Sequence, residues 1–228
     1  MTAPADPAVP RAALSDARDR SGQSIDAWTA AALAAADGPV LELGGAPTDP
    51  ARFVTLRRPG SSGAACGRAE LLPVASGALA GVRATLCLPT LLPLDALFAE
   101  LRRVLRPTGT LVAVAPSRPS LPERRAWRPL HAALGGRPQF RHESVRDRLG
   151  WLFAAADFAV LTDTRRTFWL PVPDQDTAVR TVAALAPNGI WPPGLPPDRL
   201  RLAAEALARS AAPGYRLPVA LRLVVGRR

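Results

Sequence analysis

From Gly81 to Ser117 the chain alternates between apolar runs and helical spacing in a way that predicts strand, loop, helix, turn and strand. Val82 to Leu88 is a weakly alternating apolar run. It stops at Pro89, which has no N–H for a ladder and keeps the residue before it out of the helical region. From Asp95, Leu97, Phe98, Leu101, Val104 and Leu105 recur at helical spacing, with Arg102, Arg103 and Arg106 near the C-terminal end, where cations suit the helix dipole. Pro107 and Gly109 are read as the stop, and Thr110 to Ala115 as a short buried strand. Two strands joined by a helix form a right-handed βαβ unit.

The same patterning extends in both directions. Residues 1–20 lack periodicity and are read as a disordered or loosely packed N-terminal segment, with 21–228 as one domain. Ser24 caps a helix whose apolar face is Trp28, Ala31, Ala32 and Ala35, ending at Asp37-Gly38-Pro39. Val40 to Leu43 is a short strand running into Gly44-Gly45, the kind of turn where an open α/β sheet places a ligand. Residues 46–67 allow two parses. Thr48 or Asp49 caps a short helix with Pro50 at its first position, or Arg52 to Leu56 is a second strand. After Ser117 come a Pro/Arg-rich segment and a helix begun by Glu143 or Ser144, with Val145, Leu149, Leu152, Phe153 and Ala156 as its stripe. Phe158 to Leu170 and Tyr215 to Val225 read as strands that form an antiparallel edge pair, because no complete crossover helix separates them. The helical, proline-rich stretch 172–212 between them reads as an inserted cap.

Composition narrows the function classes. The 228 residues are 48% hydrophobic, enough for a sizeable core in one large domain. No apolar run reaches the roughly 18 residues of a membrane span, and Met1 to Arg20 has no apolar signal region, so the expectation is a cytoplasmic chain with no membrane partner. The net charge is +10, carried wholly by arginine. Those arginines are dispersed, without the clustering and interleaved aromatics of a nucleic-acid footprint, which disfavours nucleic acid as a partner. Cys66 and Cys87 lack metal-ligand spacing, and two histidines, His131 and His142, are too few for a His-rich metal site.

Several local sequences resemble the class I S-adenosylmethionine-dependent methyltransferase family, especially its small actinobacterial members. Gly38-Pro39-Val40-Leu41-Glu42-Leu43-Gly44-Gly45 resembles the family's first motif. Ala69-Glu70-Leu71-Leu72-Pro73 resembles the segment that contacts adenine. Leu101 to Gly109 (LRRVLRPTG) is similar to the family's helix-end and turn, the most specific of the matches. The resemblance spans roughly residues 24–225. It implies an α/β, Rossmann-like, mostly parallel seven-stranded sheet with helices on both faces and an antiparallel last strand. It also implies S-adenosylmethionine as cofactor, held by Glu42, Gly44, Gly45, Ala69, Glu70, Cys87 and Leu88. Departures accompany the matches: Ala46-Pro47-Thr48-Asp49 replaces the glycine continuation of the first motif. Leu56-Arg57-Arg58 stands where the family carries the acid that accepts two hydrogen bonds from the ribose, and Arg68 stands near the adenine position.

These residues support two readings. In the first, the chain methylates a small molecule or secondary metabolite. The protein aligns a nucleophile with an already activated methyl group, with His131, His142 or Glu143 as general base and Trp28 and Trp191 lining an apolar substrate site. In the second, the fold has lost methyl transfer. It then serves as a repurposed non-redox cyclase or isomerase, or as a non-catalytic partner in a homodimer or a pair with another methyltransferase. RNA methylation is a third reading, motivated by charge alone.

Overall fold

The structure is a computed structural model. It describes residues 14–43, the backbone of 53–57 and 65–66, and 71–228 apart from 92, 138, 140–142, 187 and 193. In chain order the elements are α1 (Ile25–Ala32), β1 (Val40–Leu43), β2 (Phe53–Arg57), β3 (Ala65–Cys66), β4 (Leu79–Thr85) and a 3-10 turn (Leu88–Thr90). These are followed by α2 (Leu94–Val104), β5 (Leu105–Pro116), α3 (Leu121–Ala133), α4 (Glu143–Asp147) and α5 (Leu149–Ala155). The chain closes with β6 (Ala159–Pro171), α6 (Gln175–Leu185), α7 (Pro197–Ala208) and β7 (Arg216–Arg227).

The strands lie in the order β3-β2-β1-β4-β5-β7-β6. Pairing is parallel from β3 through β5, and β7 then runs antiparallel to β5, with Thr110 opposite Arg227 and Pro116 opposite Leu221. The fold is therefore mixed α/β and Rossmann-like. The expectation of a mostly parallel, seven-stranded sheet holds only in part. Side chains are described for five strands, with β2 and β3 extending the sheet as backbone, and β1 and β4 are short beside the 12 to 13 residues of β5, β6 and β7. Of the two parses for residues 46–67, the strand is present at β2 and the proposed helix cap lies outside the described residues.

The chain divides into two compact units. The first comprises Asp26–Arg118, His142–Arg166 and Leu221–Arg228. Strand alternation sorts its sheet into two faces. Leu41, Leu43, Val82, Ala84, Leu111, Ala113 and Ala115 point to one side, and α2 lays Leu97, Phe98, Leu101 and Val104 against them. Val145, Leu149 and Phe153 complete this core, but on two short helices, α4 and α5, instead of the single helix the stripe suggests. On α1 and the turn after it, Trp28, Thr29, Leu33 and Ala36 are buried. The expected face of Trp28, Ala31, Ala32 and Ala35 is thus rotated, because the helix closes at Ala32, before the second half of that stripe. Gly81 is required here: a Cβ on it would meet Leu33 Cδ2 at 3.0 Å.

The second unit comprises residues up to Ile25, Pro119–Arg141 and Thr167–Ala220. Within it α6 packs on α7, and α3 on α7. Ser120 and Glu123 form a capping box at the start of α3, and Thr167 also donates to Glu123. Asp174 caps α6 by accepting from the Thr177 N–H at 2.7 Å. The segment 1–20 is described from residue 14. There Leu14 and Ala17 are buried and Arg18 exchanges two backbone hydrogen bonds with Trp169. The presumed cap, 172–212, contains α6 and α7 and buries Ile190 and Trp191 in the loop between them.

Candidate functional site

The site that the resemblance places at the C-terminal ends of β1 and β4 starts from Glu42. In a strand closed on both sides by neighbours, a carboxylate needs a partner inside the sheet. The register puts Arg83 directly opposite on β4, and the Arg83 Nε–H donates to the Glu42 carboxylate. Both side chains are fully buried. The Arg83 Nη1 lies 3.4 Å from Thr29 Oγ1 on α1, whose hydroxyl donates to the Asp26 carbonyl at 2.9 Å. Glu42 is thus a member of a polar network that joins β1, β4 and α1. One of its carboxylate oxygens is engaged by Arg83 within the sheet.

At the end of β4 the backbone turns sharply. Leu86 takes φ +59°, a conformation few non-glycine residues adopt, and its N–H bonds to the Val114 carbonyl at 2.8 Å. Cys87 and Leu88 follow, both buried, with Cys87 at the start of the 3-10 turn. Strain at the carboxyl end of a central strand is where an open α/β sheet carries function.

The remaining cofactor candidates, Gly44, Gly45, Ala69 and Glu70, lie outside the described residues. The end of the adenine-like segment, from Leu71, is described, and α2 holds it. The Leu72 N–H donates to Glu100 at 2.8 Å, and the Arg103 guanidinium donates to the carbonyls of Val74 and Leu72 at 2.9 and 3.1 Å. Glu100 and Arg103 are themselves paired at 2.7 Å. That bond from Arg103, with the Leu72 N–H, holds the Glu100 carboxyl down at about 2 against the opposing effect of burial.

The catalytic and substrate candidates are scattered. His131, half-buried in the last turn of α3, stacks on Trp127 at 5.9 Å. His142 lies outside the described residues. Glu143 is exposed at the start of α4 and faces Arg146 at 3.7 Å. Trp28 is buried on α1 with the Arg166 guanidinium 5.1 Å over its ring, a cation–π contact. Trp191 is buried in the other unit, edge-on to Trp127 at 6.1 Å. His131 and Glu143, and likewise Trp28 and Trp191, belong to different units and do not form a cluster within either.

Sequence reasoning missed Arg83, Glu100 and Arg103. A signal existed for Arg83: an arginine inside the apolar run Gly81–Thr85 demands a buried acid, and Glu42 is the acid in the neighbouring apolar strand. Among the described residues no group of three or more His, Cys, Asp or Glu side chains could hold a metal ion. Among them, too, no helix is long and apolar enough to cross a membrane.

Two solved structures share the fold over most of both chains. One is a protein from Anaeromyxobacter dehalogenans assigned as a type II methyltransferase, at 18% identity, with 92% of this chain and 96% of that one covered and a TM-score of 0.53. The other, assigned as a methyltransferase from Bacillus halodurans, is 13% identical, with 86% and 94% covered and a TM-score of 0.50. The chain shares its fold with these two structures. No family model matches the chain, and no curated protein matches it by sequence.

Proposed function

We propose that this chain is a methyltransferase-fold protein that no longer transfers methyl groups and acts in the cytoplasm on a small molecule through a repurposed non-redox reaction, or as the non-catalytic member of a pair. One observation carries the reading: the β1 acid is consumed by Arg83. Freeing Glu42 for a ligand would leave a buried guanidinium without its counter-ion, at about 3–5 kcal/mol. Glu42 therefore does not fit the role in S-adenosylmethionine binding that the resemblance assigns it. The arginines at the end of β2, where a ribose-binding acid belongs, agree with this, since a guanidinium accepts no hydrogen bond.

A second reading keeps S-adenosylmethionine-dependent methylation of a small molecule or secondary metabolite. It is favoured by the strained Leu86 and the buried Cys87 and Leu88 at the end of β4, the strand end where such a site belongs. RNA methylation has net charge alone in its favour. A thermal melt of the full chain with S-adenosylhomocysteine separates the first two. An unchanged midpoint at millimolar ligand supports loss of the cofactor, and a saturable rise at micromolar ligand supports methyl transfer.

A further inference from the structure

Strand β6 closes one end of the sheet. Two observations fix which of its backbone groups face outwards. The Val172 N–H, just past β6, donates to the Tyr215 carbonyl beside β7, so even-numbered residues turn their backbone groups towards β7. Trp169 exchanges both of its backbone bonds with Arg18, on the opposite edge. By the strand's alternation, the N–H and C=O groups of 161, 163 and 165 also face that outer edge. This stretch mixes exposed apolar residues with the charges of Asp163, Arg165 and Arg166. Leu161 is 50% exposed, Val160 39%, and Trp151, which follows the Gly150 contact with Asp163 at the start of α5, 63%. Long edges of this kind invite pairing with another strand unless blunted.

We propose that β6 pairs with β6 of a second copy of this chain, antiparallel, about a two-fold axis at Thr164. Charge selects both the occupant and the register. A two-fold at residue 163 would set Asp163 against its own copy, and one at 165 would do the same for Arg165, each placing like charges face to face. A two-fold at 164 sets Asp163 opposite Arg165 of the partner, and the reverse, with Thr164 opposite itself. The axis then lies at a non-hydrogen-bonded pair, flanked on each side by an outward-facing 163–165 pair that exchanges both ladder bonds. Asp163 is prepared for this role. The Arg222 guanidinium grips both of its oxygens at 2.6 Å and fixes the carboxylate, which stays 30% exposed. Such an interface is isologous and closes on itself.

The register gives the test. At a non-hydrogen-bonded pair the two Cα atoms are about 4.5 Å apart, within disulfide reach, so Thr164→Cys forms a cross-linked dimer on mild oxidation. Thr162→Cys sits about 14 Å from its own copy along the strand and cross-links at least tenfold more slowly. The unmodified chain, followed by sedimentation across the micromolar range, moves from monomer to dimer. Leu161→Pro removes one outward N–H, which an edge strand tolerates, and shifts that transition to higher concentration with an unchanged melting curve. A monomer at every concentration overturns the proposal and marks Arg165 and Arg166 as guards against pairing. Equal cross-linking through residues 162 and 164, or a dimer indifferent to Leu161→Pro, overturns the register.

Discussion

Replacing Arg83 by methionine takes the paired guanidinium away from the Glu42 carboxylate inside the sheet. Both groups of this ion pair are fully buried. Removing one member of such a pair costs about 3–5 kcal/mol, because the remaining charge keeps its desolvation penalty without compensation. At about 2–4 °C per kcal/mol for a chain of this length, the melting midpoint falls by roughly 6–20 °C. The double variant Glu42→Leu/Arg83→Met removes both charges and fills the space with apolar atoms, so it recovers most of that loss and can exceed the parent by about 1–4 kcal/mol. Paired thermal and urea melts of the three proteins read these effects. A single variant that melts within about 2 °C of the parent, or a double variant no better than the single one, would refute the claim that Glu42 serves the core.

Glu100→Gln flattens the acid limb of stability. Its carboxyl is held at about 2, below the ordinary 4.5, so it contributes stability that is complete above 4.5 and lost as pH falls towards 2, and acid titration of the melting midpoint measures the difference. Asp174→Ala removes the cap on the Thr177 N–H and costs about 0.5–2 kcal/mol in urea unfolding. The two buried tryptophans of the second unit respond unequally to phenylalanine. Trp127 donates to the Pro218 carbonyl at 2.6 Å, whereas the Trp191 Nε1–H has no acceptor among the described residues. Trp127→Phe is therefore the costlier change, by about 1–3 kcal/mol in the same urea assay.

The half of the fold built on β4, α2 and β5 was legible because each element there is specified locally. Leu97, Phe98, Leu101 and Val104 form an unambiguous helical stripe, and Leu111 to Ala115 is an uninterrupted buried run. The join was misread. Pro107 and Gly109 suggested a turn, whereas β5 begins at Leu105, directly after α2, with Thr108 at φ +66° bonded to the Arg228 carbonyl at 3.2 Å. That partner is more than a hundred residues away, and no local signal encodes it. The stripe Val145, Leu149 and Phe153 was right about burial and wrong about continuity, since periodicity does not report a break at Arg148. Short alanine-rich helices hide their face, because alanine suits either side; Trp28, Leu33 and Ala36 set the rotation of the α1 segment. The candidate site was least legible where it depends on pairing across strands. Glu42 has the same sequence context whether it binds a ligand or an arginine, and only the register with Arg83 separates the two. His131, Glu143, Trp28 and Trp191 meet the same limit: they were singled out by residue type alone, which carries no information on what a fold brings together.

The central claim is that the β1 acid is spent within the core and that the fold has lost its methyl donor. Isothermal titration of the full chain with S-adenosylmethionine and S-adenosylhomocysteine tests it most directly. The account predicts no saturable heat with either ligand up to millimolar concentration. Micromolar binding weakened by Glu42→Gln, without a matching loss of stability in the ligand-free protein, would contradict it.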